Sequence, residues 1–162
     1  MTLSSESPDS RAVALGLQSY ADRGVFRGFA RRPALSGRHE YRFLWLTEGP
    51  TVLRFDPRSG TLTLPDLLPN VAYPSAMDRA LRGFLAERSS ADLPDHRRID
   101  PKRASVRCVN RAGNVTIVLA VAKGHGAYAV TKAISLVNEI FHGFLRGPYR
   151  EYMVENFNEP EE

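Results

Sequence analysis

The strongest constraint on this chain is a series of short alternating segments joined by links of hairpin length. Between residues 40 and 46, Tyr41, Phe43 and Trp45 fall on one face of a predicted strand, and charged residues fall on the other. Two more alternating segments follow at residues 51–55 and 61–64. The links at residues 48–50 and 56–60 are too short for a crossover helix, so consecutive strands must run antiparallel. These residues therefore predict an antiparallel meander.

The rest of the chain adds helical patterns and a second pair of strands. Helical spacing predicts a first helix that is capped by Asp9 or Ser10 and ends near Gly24. It also predicts a second helix after an N-cap at Ser75 and a third from about residue 127 to 145. Strands are predicted at residues 25–30, 104–110 and 114–122, with irregular connections at 65–74 and 89–101. The order α-β-β-β-(β)-α-β-β-α predicts an α+β fold in which helices pack on an antiparallel sheet of five to six strands.

The predicted domain organisation is one α+β domain over residues 9–157. Residues 1–8, which are rich in Ser and end at Pro8, predict a disordered arm, and residues 158–162 predict an acidic tail. The Gly147-Pro148 pair is expected to end the last helix, with one or two amphipathic turns over residues 149–157.

Cysteine content and hydropathy bear on the compartment. A single cysteine, Cys108, forms neither an intramolecular disulfide nor a thiolate zinc site. The longest largely apolar run, Val115–Ala122 with Thr116 as its one polar residue, spans eight residues, whereas a membrane span needs about 18. The first residues lack the basic start and apolar core of a secretory signal. We therefore expect a cytoplasmic protein without membrane contact.

The charge is distributed unevenly along the chain. Residues 151–162 contain five Glu and no basic residue, so residues 1–150 carry a formal charge of +9 although the whole chain carries +4. A basic body attracts anionic partners such as nucleic acid, an acidic protein segment or its own acidic tail. Of the 22 basic residues 19 are Arg, which we attribute to a GC-rich genome rather than to nucleic-acid contacts.

A glycine-rich turn precedes the last predicted helix. Residues 124–129 match G-x-G-x-x-A after an apolar strand, as in dinucleotide-binding turns. Such a site needs another parallel strand after the helix, and the sequence has none left, so no nucleotide cofactor is expected. The pattern predicts a tight turn. The alternative is an anion site on the N–H groups of Gly124 and Gly126, with His125 and Lys132 nearby.

Glu139 and His142 form an E-x-x-H pair, a spacing that places a carboxylate and an imidazole on one helical face. A di-metal site needs a second copy and two further carboxylates, which the sequence lacks. A metal site would require His39, His96 or His125 to converge on the pair. We therefore predict a solvated or partner-facing pair and no metal.

Residues 93–101 are the densest polar cluster. Arg97 and Arg98 suit bidentate phosphate contacts, and His96 suits acid–base chemistry. No partner nucleophile is identifiable. The segment is interpreted as a solvated loop held by Arg–Asp pairs, with anion or partner contact and catalysis as alternatives.

Basic residues also lie beside the aromatic residues of the meander, a combination that binds single-stranded nucleic acid on some sheets. Alternation, however, places Arg42 on the face opposite Tyr41 and Phe43. The aromatic row is therefore predicted to be core. The exposure of Trp45 discriminates between an interface and a simple core.

The stretch Val106–Leu145 resembles the type III secretion chaperone-like fold and the related YbjN-type bacterial proteins. The matching features are the Asn110–Asn114 hairpin, the apolar strand Val115–Val121, the helix opened by Gly124, Tyr128 and Val130, and residues 136–141. The resemblance covers about residues 9–145. It implies homodimers that bind extended segments of other proteins, without cofactor or catalysis, although secretion chaperones are typically acidic and this body is basic.

From the sequence we expect a bacterial, cytoplasmic, non-catalytic protein-binding module that forms a homodimer and carries no cofactor or metal. The first alternative is nucleic-acid or other anion binding through the Arg-rich body. The second alternative is a small enzyme that uses His96 or His142. Candidate partner or anion contacts are His96, Arg97, Arg98, Gly124, His125, Gly126, Lys132, Glu139 and His142.

Overall fold

The structure, a computed structural model, describes residues 7–33, 37–46 and 49–149. Its elements are α1 (Pro8–Asp22), β1 (Arg27–Pro33), β2 (His39–Leu44), β3 (Thr51–Asp56), β4 (Thr61–Leu68), α2 (Ala76–Glu87), β5 (Ala104–Arg111), β6 (Asn114–Val121), α3 (Gly126–Glu139) and a π-helical segment (Ile140–Tyr149). The predicted α+β class and element order are confirmed. Within the described ranges, no helix is long and apolar enough to cross a membrane.

The strands form one six-stranded antiparallel sheet in the order β1-β2-β3-β4-β6-β5. Strand β6 lies between β4 and β5 and buries Val115, Ile117 and Leu119 completely. This agrees with the largely apolar sequence of β6, which predicts a central strand. Strands β1 and β5 are the two edges.

The meander has the register and the faces that its alternation predicts. Tyr41 of β2 is paired with Leu53 of β3, and Phe55 of β3 is paired with Leu62 of β4. All four side chains are at most 1% exposed. Because alternate residues of a strand point to opposite sides, the residues between them form the other face of the sheet.

Strand β4 continues beyond the predicted end at residue 64, through Pro65 to Leu68. The prediction of an irregular segment from Pro65 onward is therefore wrong for its first residues. The register with β6 shifts between Leu64 and Leu68, and Asp66 adopts a positive φ of 48°. The Asp66 N–H donates to Thr116 Oγ1 at 3.0 Å. Such a bulge accommodates Pro65, which has no N–H to donate.

The N-cap of helix α1 lies two or three residues earlier than expected. Ser7, rather than Asp9 or Ser10, is the N-cap, and its Oγ accepts the Ser10 N–H at 3.0 Å. Ser7 and Pro8 thus belong to the helix start rather than to the predicted arm, whose residues 1–6 lie outside the described residues. A Cβ on Gly16 would lie 3.1 Å from Val130 Cγ1, so α1 and α3 pack closely at this glycine.

Helix α2 has the predicted N-cap, because Ser75 Oγ accepts the Asp78 N–H at 3.0 Å. The Asp78 carboxylate is only 2% exposed. It accepts from Arg82 Nε at 2.8 Å and from Asn110 Nδ2 at 3.0 Å. These contacts attach the first turn of α2 to the end of β5.

The last helix does not end at Gly147-Pro148 as expected. After Glu139 the helix widens into π-helical geometry that continues to Tyr149. Phe144 of this segment is 5% exposed, and its ring lies 5.4 Å from that of Phe84 in α2. The turns expected over residues 150–157 and the acidic tail lie outside the described residues.

Candidate binding surface on the open face of the sheet

The helices cover one face of the sheet, and the other face is open within the described part of the chain. Buried residues of α1, α2 and α3 share one apolar core with the inward residues of the strands. The cross-strand register defines the opposite, open face. Its residues across β2, β3, β4, β6 and β5 include Glu40, Arg42, Val52, Arg54, Thr63, Thr116, Val118, Arg107, Val109 and Arg111.

A groove of about 470 Å³ runs over the β3–β4–β6–β5 half of this open face. Its basic lining is Arg54, Arg107 and Arg111. Val118 lies on its floor between the cross-strand neighbours Thr63 and Arg107, and is 7% exposed. The lining also includes Val109, the threonines Thr63 and Thr116, and the carboxylate of Asp66. Guanidinium groups next to valine side chains suit a ligand that has carboxylates next to apolar side chains. We call this feature the arginine groove.

The two sides of the arginine groove differ in electrostatics. On β2 and β3, Glu40 Oε2 accepts from Arg42 Nε and Glu40 Oε1 accepts from Arg54 Nε, both at 3.0 Å. Arg54 and Arg42 lower the pKa of the Glu40 carboxyl below its ordinary value. On β5, Arg107 and Arg111 are exposed and have no carboxylate within 4.0 Å among the described residues. The free positive charge of the groove is therefore on β5.

The aromatic row lies on the covered face, as predicted. Tyr41 and Phe43 are fully buried, and Phe26 stacks on Phe43 with ring centroids 4.0 Å apart. Trp45 is half-buried, with its ring 5.4 Å from that of Phe26. The arginine groove therefore has no aromatic platform in its lining.

The N–H groups of the glycine-rich turn at the start of α3 bind a carboxylate from the same chain. Asp9 Oδ2 accepts the Gly124 N–H, and Asp9 Oδ1 accepts the Gly126 N–H, each at 2.9 Å. The predicted tight turn is present, and the N–H groups proposed for an external anion are occupied by this carboxylate. His125 is the N-cap residue of α3 but makes no side-chain capping hydrogen bond.

Arg97, Lys132 and Glu139 are brought together where residues 89–103 cross α3. Glu139 Oε2 accepts from Arg88 Nη1 at 2.8 Å and from Arg97 Nε at 2.7 Å. Lys132 Nζ donates to the Asp95 carbonyl at 2.6 Å, and burial lowers the pKa of its ammonium group. Glu139 is thus ion-paired rather than solvated. The cluster fastens the connection to the helix.

The remaining predicted residues do not converge on one site. His96 and His142 are both exposed. Arg98 Nε donates to the Ser89 carbonyl at 3.3 Å. No group of three or more His, Cys, Asp or Glu in the described ranges could hold a metal ion.

Sequence reasoning missed Arg107 and Arg111 as binding residues. The signal was present, because both have odd numbers in a strand whose buried Ala104 and Cys108 have even numbers. Their importance depends on the position of β5 at the sheet edge, which the local sequence does not encode.

The chain matches no protein-family model, no curated protein and no solved structure.

Proposed function

We propose that this protein is a non-catalytic binding module that holds a carboxylate-bearing segment of another protein in the arginine groove. The observation that carries the proposal is the pair Arg107 and Arg111, exposed on an edge strand and free of carboxylate partners in the described ranges. An extended segment can add to a free strand edge while its side chains meet the groove. The resemblance noted above leads to the same class of function.

A protein ligand suits the groove better than single-stranded nucleic acid does. Nucleic-acid sheets combine basic residues with aromatic rings that stack on the bases. Here the rings of Tyr41 and Phe43 are buried on the other face. The groove instead offers Val109 and Val118, which suit aliphatic or aromatic side chains of a peptide.

The bacterial cytoplasmic location and the homodimer are further parts of this proposal. Strand β1 is the edge we assign to self-association, because the exposed Val25 and Leu44 lie at its start and beside it. Covering an open edge by a second copy removes its unpaired backbone groups from water. Sedimentation over a range of concentrations, with Leu44→Lys as the variant, measures this association.

The test of the binding function is capture from a bacterial lysate with three forms of the full chain. They are the wild type, Arg107→Glu/Arg111→Glu, and the control Arg11→Glu/Arg79→Glu, which makes the same charge change at exposed positions of α1 and α2. A protein held by the wild type and the control, lost with the groove variant and resistant to nuclease supports the proposal. Equal capture by all three forms, or recovery that disappears with nuclease, overturns it.

A further inference from the structure

The sequence beyond the described residues carries a pattern that complements β5. Residues 151–159 read Glu-Tyr-Met-Val-Glu-Asn-Phe-Asn-Glu. Acidic and apolar residues therefore alternate at every second position, as Glu151, Met153, Glu155, Phe157 and Glu159. At a period of two, these five residues share one face whenever the segment pairs as a strand.

Strand β5 presents the matching pattern on the open face. Arg107, Val109 and Arg111 occupy alternate positions, and all three line the arginine groove. Among the described strands, β5 pairs only with β6, so its other edge is unpaired by any of them. An antiparallel strand on that edge can place acid opposite Arg111, an apolar side chain opposite Val109 and acid opposite Arg107. Opposite charges directly across a strand pair are stabilising.

The course of the helices directs the chain toward the correct end of β5. Helix α2 runs antiparallel to β5, because Asp78 in its first turn contacts Asn110 near the end of β5. At the other end, the carbonyl of Arg88 accepts the N–H of Ile99, five residues before β5 starts at Ala104. The start of α2 therefore lies at the Arg111 end of β5.

The π-helical segment runs back along α2 toward this same end. Glu139 contacts Arg88, which follows α2, and Phe144 packs on Phe84, one turn earlier in α2. The segment continues toward the start of α2, and the described chain ends at Tyr149. From Tyr149 to Glu155 there are six residues, which reach about 20 Å when extended. The described chain therefore ends in the direction of the Arg111 end of β5, which is the end where a strand antiparallel to β5 would begin.

A second copy of β5 is a poor occupant of this edge. Antiparallel self-pairing centred on Val109 would place Arg107 of one copy opposite Arg111 of the other. Like charges directly opposite each other destabilise a strand pair. Self-pairing of β5 in this register is therefore disfavoured.

We propose that residues 151–159, in place of the amphipathic turns expected above, bind along the free edge of β5 in the same molecule and cover the arginine groove with their glutamates. Two registers, four residues apart, satisfy the pattern. Glu155 lies opposite Arg107 in one register and opposite Arg111 in the other. A partner segment must displace these residues. This competition rests on the proposed function, whereas the contact itself does not.

Paramagnetic relaxation in the full chain tests the contact. A nitroxide is attached at Asn158→Cys, while the buried Cys108 is left in place. The amide signals of β5, from Ser105 to Arg111, are expected to lose most of their peak height relative to the reduced label. The loss should disappear in Arg107→Glu/Arg111→Glu and persist in the control Arg11→Glu/Arg79→Glu.

A mixed sample distinguishes a contact within one chain from a contact between two copies. It contains isotope-labelled chains that carry no nitroxide and spin-labelled chains that carry no isotope, so only contacts between copies can reduce the observed signals. The proposal is supported if the signals weaken when isotope and nitroxide are on the same chain but keep their height in the mixed sample. Loss of equal size in the mixture means that a second copy supplies the segment, and this overturns the proposal. Full peak height along β5 in both samples also overturns it. None of these results depends on lysate capture, so the contact and the binding function can fail separately.

Charge exchange identifies the register. Glu155→Arg should abolish the relaxation effect on β5. Combining Glu155→Arg with Arg107→Glu restores it in one register, and combining it with Arg111→Glu restores it in the other. Restoration by neither combination, with the sheet signals otherwise unchanged, contradicts the proposed pairing.

Discussion

The carboxylate of Asp9 lies 2.9 Å from the amide nitrogen of Gly126, a residue 117 positions further along the chain. The same carboxylate accepts the Gly124 N–H. A helix N-terminus attracts anions because its first N–H groups have no partner within the helix. The start of α1 supplies that anion to the start of α3, and this joins the two helices at one end of the sheet.

Removing this carboxylate should destabilise the fold. We expect Asp9→Ala to lower the free energy of unfolding by about 1–3 kcal/mol, because two N–H groups lose their acceptor. Urea unfolding measures the change. Asp22→Ala, at the exposed end of the same helix, is the control and should cost little. Equal losses for the two variants would contradict the assigned role of Asp9.

The Glu40 ion pairs should make stability depend on pH. Arg54 and Arg42 lower the pKa of Glu40 below its ordinary value of 4.5, so the stabilisation is present above the unfolded-state pKa. It is lost as the pH falls through the lower folded-state pKa. Glu40→Gln should cost about 1 kcal/mol at neutral pH, and wild type and variant should converge in acid.

Denaturant unfolding at several pH values measures this convergence. Asp92→Asn is the control, because the Asp92 side chain is exposed and makes no hydrogen bond or ion pair with the described residues. A difference between wild type and Glu40→Gln that stays constant from neutral to acid pH would show that the ion pairs are not its source.

Arg88 and Arg97 should contribute differently to the stability of the fold, although both bind Glu139. The Arg88 side chain is 5% exposed and that of Arg97 is 46% exposed. We expect Arg88→Met to cost about 3 kcal/mol, because Glu139 loses its buried partner, and Arg97→Met to cost less than about 1 kcal/mol. The double variant Arg88→Met/Glu139→Leu should recover most of the loss. Thermal unfolding ranks the variants, and a reversed order would refute this assignment.

Cys108 should be nearly inert in the folded protein. Burial raises the pKa of its thiol above the ordinary value of 9.0, so little thiolate forms near neutral pH. Alkylation by iodoacetamide, followed by mass spectrometry, should be slow in native buffer and fast in denaturant. Comparable rates under the two conditions would mean that β5 exposes its core face.

The meander could be predicted from sequence because its determinants are local. Tyr41 and Phe43 alternate with charged neighbours, and the links before and after β3 allow only antiparallel pairing. The cap at Ser75 is equally local, since it involves a residue three positions away. The continuation of β4 past Pro65 was not predictable, because it depends on Thr116, 50 positions away.

The sequence by itself determined the fold class, the element order and the face on which each strand residue lies. These depend on periodicity and on contacts between residues a few positions apart. Only the tertiary structure decided that β4 pairs with β6, that β5 becomes a free edge, and that Asp9 and Glu139 find the partners they do. The reason is that a charged group is stabilised by whichever opposite charge or N–H the folded chain brings within hydrogen-bond distance. That neighbour is set by the packing of sheet and helices, not by position in the sequence.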